Sequence, residues 1–248
     1  MTTVLMLASF GLEIVECGGT LAAHLDRGDK VYAAVTLSRP QSRPQVIGAA
    51  KVLGIPDVEF LDFTLGDWEI NVASKEKIVR LIRKLRPDIV IMQDPEHAQH
   101  DLDPDRRLLA LLYTEAFSVS GRDWHIEECG GYEAYMPHAY YYMSPENPNC
   151  IVEISKYFDL KEKALAILTY QLAFSAQSMK QRAPETLLRT LVPNYDELVQ
   201  DDAQLGLALT RQLDTAIALW NGLAGHSGAV MGEAYRREGL FVIEHLPK

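Results

Sequence analysis

The stretch VLMLASFGLEIVECGGTLAAHLDRG, residues 4–28, decides the fold. Its first five residues, VLMLA, form a continuous apolar run of the length that a buried strand requires. The segment GGTLAAHLDRG, residues 18–28, then carries apolar residues at helical spacing and ends on glycine, a residue common just beyond a helix. A buried strand followed closely by a helix opens a βαβ unit, so this stretch predicts an α/β fold.

The same alternation continues through the first half of the chain. Three more apolar runs predict strands at KVYAAVTL (30–37), DVEFLDF (57–63) and DIVIMQ (88–93). Between them, PQVIGAAKVLG (44–54) and KEKIVRLIRKLRP (75–87) have helical spacing. Continuously apolar strands separated by helices indicate a parallel sheet covered on both faces. We therefore predict a Rossmann-like parallel sheet flanked by helices over residues 1–125.

The second half, residues 126–248, follows a different pattern. AYYYM (139–143) and CIVEI (150–154) are predicted strands, and residues 158–177 and 195–225 are predicted long helices. The second helix carries a leucine-rich stripe typical of a core face, with a homo-oligomer contact as the alternative. Because no boundary separates the halves, we expect a single domain over residues 1–248 that ends in a helical extension.

Composition narrows the classes of partner. The 248 residues are 48% hydrophobic and 23% charged with a net charge of -10, so neither nucleic acid nor an anionic membrane is an expected partner. No apolar run approaches the roughly 20 residues that span a bilayer, and MTTVLMLASF has no basic stretch before its apolar run. The three cysteines lack the spacing of a disulfide framework. We expect a cytoplasmic protein with reduced thiols.

A polar segment, DPEHAQHDLDPD at residues 94–105, follows the fourth predicted strand. In open α/β sheets, ligands bind beyond the carboxyl ends of the strands. This segment and the one after the first strand should therefore border one crevice, and the alternative is an ordinary solvated loop.

Several motifs resemble those of the LmbE-like, or PIG-L, family of zinc-dependent N-deacetylases. Those proteins begin with a strand, then A-H-P-D-D-E, then a helix with G-C-G-G-T-L-A. Here Ala8, Glu13 and CGGTLA (17–22) fall in register with that pattern. LDPDRRLLALL (102–112) stands where the family has H-P-D-H-R and a helix, and GEAYRREG (232–239) resembles its closing A-E-A-F-R. The resemblance implies an LmbE-like fold.

The resemblance also implies where a zinc ion would lie, and the residues at those positions differ. The family's ligands are the His and second Asp of the first motif and the last His of H-P-D-H. In this chain they are Ser9, Leu12 and Arg106. Leucine offers no donor atom and arginine does not deprotonate, so we expect no zinc at that position and no other cofactor.

The other motif positions change as well. Gly11 replaces the Asp that acts as general base, and Asp103 replaces the His that stabilises the oxyanion. Glu13 and Asp105 are the carboxylates that remain, and Asp105 is a candidate ligand-binding residue. We hypothesise that Glu13 or Asp103 serves as an acid or base, provided that burial brings its pKa near the working pH.

A guanidinium at the former metal position is suited to an anion. We therefore predict that Arg106 clamps a carboxylate or phosphate, together with Arg39 and Arg43 from the loop after the second strand. The alternative for Arg39 and Arg43 is that they are ordinary surface arginines. Ser9, at the end of the first strand, is predicted to hydrogen-bond the ligand or the helix N-terminus.

A relocated metal site is a second hypothesis. It would combine Glu13 with carboxylate and imidazole groups of the polar segment, and only then would zinc or another divalent metal be a cofactor. The candidates are Asp94, His97, His100, Asp101 and Asp103. Acidic loops of this kind are usually solvated, and that is the competing interpretation.

The sequence thus favours a deacetylase-like protein that binds or acts on a small polar anionic metabolite and lacks the zinc-dependent activity. The alternatives are a hydrolase or hydratase with a relocated metal, and a non-catalytic scaffold subunit. Convergence of Glu13 and Asp103 with Arg106 would favour the small-molecule site, and exposed, mobile carboxylates would favour the scaffold.

Overall fold

The computed structural model describes residues 1–223 and 230–238, which include a seven-stranded mixed sheet of order β3-β2-β1-β4-β5-β7-β6. The strands are β1 (Thr3–Ala8), β2 (Lys30–Val35), β3 (Val58–Phe60), β4 (Ile89–Gln93), β5 (Ala139–Met143), β6 (Cys150–Glu153) and β7 (Gly232–Arg237). Five neighbouring strands, β3 to β5, pair in parallel, which confirms the predicted core. The strand β7, which the sequence analysis did not predict, pairs antiparallel with both β5 and β6.

Helices cover the sheet. In chain order they are α1 (Glu13–Glu16), α2 (Gly18–Asp26), α3 (Arg43–Val52), α4 (Val72–Leu85), α5 (Pro95–His100), α6 (Pro104–Ser120), α7 (Phe158–Leu165), α8 (Thr169–Arg182), α9 (Glu185–Leu191), α10 (Tyr195–Leu198) and α11 (Asp202–Gly222). A single 3-10 turn, Ser155–Tyr157, leads into α7. Within the described residues, no helix combines the length and hydropathy needed to cross a bilayer.

Both faces of the sheet are buried, as the continuous apolar strands predicted. Along β1, Val4, Met6 and Ala8 pack into one hydrophobic cluster, while Leu5 and Leu7 pack into another on the opposite face. Successive strand residues point to opposite faces, so every residue of such a run is in a core. This central strand carries the turn that borders the candidate site.

Two predictions about helices and one about a loop were wrong in detail. The helix predicted over 158–177 is two helices, because the chain turns at 166–168 to bury both Leu165 and Leu168. The helix predicted over 195–225 restarts at Asp201, whose carboxylate accepts hydrogen bonds from the amides of residues 203 and 204. Gly222 and Gly225 were the glycines expected near its end: α11 ends at Gly222, and Gly225 lies outside the described residues. The polar segment 94–105 contains α5 and is not wholly a loop.

A buried charged cluster joins the start of α2 to β7. The Glu233 carboxylate accepts hydrogen bonds from the amides of Gly19 at 3.0 Å and Thr20 at 2.8 Å, and the Lys161 ammonium lies 3.2 Å from it. Gly19 is needed here because a Cβ would lie 2.6 Å from the Ile154 Cβ. The positive end of a helix and a lysine thus neutralise one buried carboxylate, and this fixes β7 against the first βα unit.

We expect Glu233→Ala to lower the free energy of unfolding by roughly 3–5 kcal/mol, because it leaves the buried Lys161 ammonium and two helix amides without their acceptor. Guanidinium unfolding measures the change. Glu153→Ala, at an exposed position on the neighbouring strand β6, is the control and should change stability by less than about 1 kcal/mol. Equal effects of the two substitutions would contradict the proposed role of Glu233.

Candidate functional site

The turn after β1 is held by Glu13. Its carboxylate is buried and accepts hydrogen bonds from the amides of Phe10 at 3.1 Å and Gly11 at 2.9 Å. Gly11 has φ +107°, and a Cβ there would lie 2.7 Å from a methyl group of Val46. The position that carries the general base in the family is therefore restricted to glycine in this chain.

Arg106, on the first turns of α6, reaches toward this turn. One of its terminal nitrogens, Nη1, donates to Gln93 Oε1 at 3.2 Å and lies 3.7 Å from Glu13 Oε1. Its Nε lies 3.5 Å from Asp101 Oδ2, and the guanidinium carbon lies 5.1 Å from the centre of the Phe10 ring. Arg106 and Glu13 thus meet where the carboxyl ends of β1 and β4 come together, as the sequence predicted.

A cavity of about 430 Å³ opens beside Arg106, and we call it the arginine cavity. It also contains Asp103 and Arg39, so three of the predicted site residues line one space. The full lining is Phe10, Leu37, Arg39, Ser42, Leu65, Asp103, Arg106, Tyr170, Gln171 and Phe174. Glu13 lies behind Arg106 and is not part of the lining. Ser9 is buried in the turn and does not line the cavity either.

Both aspartates at the start of α6 have local partners. Asp103 caps the helix by accepting a hydrogen bond from the Asp105 amide at 2.9 Å. Asp105 is buried, and its carboxylate accepts hydrogen bonds from the amide of Gly66 at 3.0 Å and from Trp68 Nε1 at 2.8 Å. Asp105, predicted to bind ligand, instead ties α6 to the 63–68 loop.

Two other predicted ligand-binding residues are engaged elsewhere. Asp94 is fully buried, and both of its carboxylate oxygens accept hydrogen bonds from Arg236, at 2.6 and 3.2 Å. Arg43 pairs with Asp62 and lies over the Phe60 ring, 4.8 Å from its centre. Neither lines the arginine cavity, so the structure places Asp94 and Arg43 in contacts that stabilise the fold.

The histidines of the polar segment do not converge on Glu13. His97 Nδ1 lies 2.9 Å from Glu146 Oε1, and His100 is exposed. Among residues 1–223 and 230–238, no three His, Cys, Asp or Glu side chains are grouped so that they could hold a metal ion. The donors proposed for a relocated metal site are therefore dispersed in the described part of the chain.

The side chains at the family's zinc position do not fit that ion. Leu12 has no donor atom, Gly11 has no side chain, and Arg106 places a guanidinium within 3.7 Å of the retained carboxylate of Glu13. A catalytic zinc requires three nitrogen, oxygen or sulfur ligands. Neither Leu12, Gly11 nor Arg106 supplies such a ligand.

A second cavity, of about 440 Å³, lies on the other side of α1, and we call it the acidic cavity. Its lining includes His97, Glu16, Lys161, Asp214 and Glu233. Burial, the nearby Glu13 and Asp214 raise the pKa of Glu16 to about 7, against the opposing charges of Arg106 and Lys161. Burial also raises the pKa of Asp214.

Lys161 is the cation of this cavity. Burial alone would lower its pKa, but Glu233 and Asp214 raise it above its ordinary value, so the lysine stays charged. The sequence analysis did not single out Glu16, which stands where the family's G-C-G-G-T-L-A motif begins with glycine. Its position three residues after Glu13 on a helical turn was the available signal.

Comparison with known proteins agrees with the resemblance seen in the sequence. No family model matches the chain. Diacetylchitobiose deacetylase from Thermococcus kodakarensis is 29% identical over 154 residues, which are 60% of this chain and 55% of that protein. The chain's match thus spans little more than half of this curated relative.

Solved structures show the same fold. N,N'-diacetylchitobiose deacetylase from Pyrococcus horikoshii superposes with a TM-score of 0.69 at 19% identity, over 96% of this chain and 84% of that one. The 4-carboxy-2-hydroxymuconate hydratase GalB from Pseudomonas putida gives 0.67 at 17% identity, and a conserved protein from Thermus thermophilus gives 0.71 at 18%. Both of these match over the whole of each chain.

These likenesses define the class of fold: the chain has the α/β fold of the deacetylase and hydratase structures. The resemblance to LmbE-like proteins, predicted from the first motif and CGGTLA, is thereby confirmed as a resemblance.

The pKa of Glu16 leads to a stability prediction. Since the folded pKa is raised to about 7 from 4.5, folding favours the protonated carboxyl, and stability falls as pH rises through this interval. Glu16→Gln, which mimics the protonated form, should match the wild type near pH 4, below the unfolded pKa. Because Glu16 is only partly buried, solvent screens its charge and reduces the effect of the pKa shift on stability. We expect the variant to be more stable than wild type by on the order of 2 kcal/mol at pH 8.

Denaturant unfolding at several pH values tests this prediction. Glu153→Gln is the matched control, since hydrogen bonds from Ser155 lower the pKa of Glu153. Its substitution should therefore have an effect of opposite sign, a small loss of stability above pH 4. A constant difference between Glu16→Gln and wild type from pH 5 to 8 would show that Glu16 does not titrate in this range.

Proposed function

We propose that this deacetylase-like protein binds a small polar anionic metabolite in the arginine cavity, without the zinc-dependent N-deacetylase chemistry of the family. The observation that carries the proposal is the position of Arg106. Its guanidinium lines the cavity at the carboxyl ends of the strands, where ligands of open α/β sheets bind. Arg39 lines the same cavity and adds a second positive charge.

The ion pairs that Arg106 makes are long, which leaves its guanidinium available to a ligand. Charge-assisted hydrogen bonds between nitrogen and carboxylate oxygen are about 2.7–2.9 Å long. In the described part of the chain, the ion pairs of Arg106 with Glu13 and Asp101 are longer, at 3.7 and 3.5 Å. Glu13 is committed to two backbone amides, and Asp101 is about one quarter exposed. An anion in the cavity can therefore replace the weak contact with Asp101.

The acid or base role assigned from the sequence falls to Asp103 in this proposal. Its carboxylate lines the cavity beside Arg106, and its Oδ1 accepts the hydrogen bond from the Asp105 amide. Oδ2 is left to receive or deliver a proton to a ligand that Arg106 holds. Glu13 then acts as a positioning residue, since it orients Arg106 from behind and does not line the cavity.

The geometry favours this function over the two alternatives. A scaffold subunit needs no grouping of these residues, whereas Asp103 and Arg106 line one cavity and Glu13 lies 3.7 Å from Arg106 behind it. A hydrolase or hydratase with a relocated metal needs a grouped donor set, and Asp94 and His97 are held apart by Arg236 and Glu146. Relatives that share the fold carry different activities, so the fold alone does not choose the reaction.

The first test of the proposal is metal content. We expect elemental analysis of the purified protein to give far less than one zinc per chain, because Leu12 and Arg106 cannot act as ligands. Added zinc should leave the melting temperature unchanged, since an ion that does not bind the folded state cannot stabilise it. About one tightly held metal per chain, with a melting temperature lowered by chelation, would contradict the proposal.

The second test is Arg106→Gln. We expect the variant to bind phosphate and acetate at least tenfold more weakly than wild type, because it loses a charge-assisted contact worth about 1.5–3 kcal/mol. NMR titration at fixed ionic strength measures the affinities. Arg122→Gln is the control, since Arg122 lies just beyond the far end of the same helix and its side chain hydrogen-bonds Ser118. Equal affinities in all three proteins would refute the anion clamp.

A further inference from the structure

The outer wall of the arginine cavity is aromatic and unusually exposed. Tyr170 and Phe174 line it from α8, and their exposed fractions are 41% and 69%. They are four residues apart, so they lie on the same face of the helix. Phe10 contributes a third ring, next to Arg106. A large apolar side chain left exposed at a cavity mouth is the usual sign of a surface that a ligand covers.

The start of α8 is fixed so that these rings face the cavity. Gln45 of α3 donates a hydrogen bond to Thr169 Oγ1 at 2.8 Å and accepts one from the Tyr170 amide at 2.9 Å. The turn at 166–168, which separates α7 from α8, allows α8 to leave the direction of α7 and reach this position. The aromatic wall therefore belongs to a rigid part of the fold.

The charges of the lining indicate the kind of ligand. Among the lining side chains, the two guanidinium groups of Arg39 and Arg106 stand against one carboxylate, that of Asp103. Asp101 and Glu13, at 3.5 and 3.7 Å from Arg106, offset part of its charge, so the site carries at most one excess positive charge. A monoanion balances it. The other lining residues are apolar, like Leu37 and Leu65, or polar but uncharged, like Ser42 and Gln171, and give no counterpart for a second charged end.

We propose that the arginine cavity selects aromatic monocarboxylates, with the carboxylate on Arg106 and the ring against Phe174 and Tyr170. This inference rests on the proposed anion site and adds the chemistry of the ligand's body. A volume of about 430 Å³ is within the range of small-molecule sites and accommodates a single substituted ring. Flat rings stack favourably on aromatic side chains and bury apolar area there.

Three probes separate the contributions of the charge and the ring. Benzoate has both, acetate has only the carboxylate, and benzamide has only the ring. We expect wild type to bind benzoate at least tenfold more tightly than acetate or benzamide in NMR titrations. Phe174→Ala should weaken benzoate roughly fivefold to tenfold and leave acetate unchanged, because it removes ring contacts but no charge.

Arg106→Gln supplies the opposite pattern, with benzoate and acetate weakened and benzamide unchanged. Leu187→Ala, at another exposed apolar position on α9, is the control and should alter none of the three affinities. Phe174 is largely exposed, so its replacement is not expected to impair folding, and circular dichroism verifies this.

The outcomes distinguish the two proposals. Equal affinities for benzoate and acetate, both lowered by Arg106→Gln, would overturn the aromatic preference and leave the anion site standing. An equal loss of acetate and benzoate binding in Phe174→Ala would likewise contradict a ring contact. If neither benzoate nor acetate binding responded to Arg106→Gln, the anion site would be overturned, and the inference about aromatic ligands with it.

Discussion

The buried carboxylate of Glu233 is the constraint on which the arrangement around the crevice depends. It joins the N-terminal amides of α2 to the Lys161 ammonium and so links residues more than 200 positions apart. A shift of β7 that separated this carboxylate from its partners would leave a buried charge unpaired, which costs several kcal/mol. The strand β7, the helix α7 and the first βα unit are consequently fixed relative to one another.

Glu13 has a comparable role on a smaller scale. The family motif places a glutamate at this position beside a metal, but here its carboxylate holds the turn after β1 and faces Arg106. The turn's amides donate hydrogen bonds to this carboxylate and the Arg106 guanidinium lies beside it, so its contacts come from the chain itself. A motif residue can thus persist in register while the residues around it change.

Much of the fold was predictable because it depends on local apolar runs. The strands β1 to β6 are short apolar segments, and periodicity detects these directly. The strand β7 was missed because GEAYRR contains Glu233 and Arg236, whose burial is explained only by partners far away in sequence. The break at 166–168 was missed for a related reason: helical spacing continues through it, and tertiary packing of Leu165 and Leu168 decides the turn.

The candidate site was predictable only where a motif fixed the register. The segments after the first and fourth strands were expected to border one crevice, and Arg106 and Glu13 lie 3.7 Å apart there, because each is tied to the end of a neighbouring parallel strand. Asp94 and Asp105 have the same residue type and the same loop as Asp103, yet Arg236 and Trp68 occupy their carboxylates. Sequence shows which groups carry charge, and the contacts of the fold decide which of these charges remain available to a ligand.

The short helix α1 connects the two cavities electrostatically. Glu13, at its start, lies beside Arg106, while Glu16, at its end, lines the acidic cavity. Glu13 raises the pKa of Glu16 and Arg106 lowers it, so each cavity responds to charge in the other. In the proposed function, an anion on Arg106 would offset part of the guanidinium's charge and thereby favour a proton on Glu16. By reciprocity, protonation of Glu16 favours the anion, because the two equilibria share one coupling free energy.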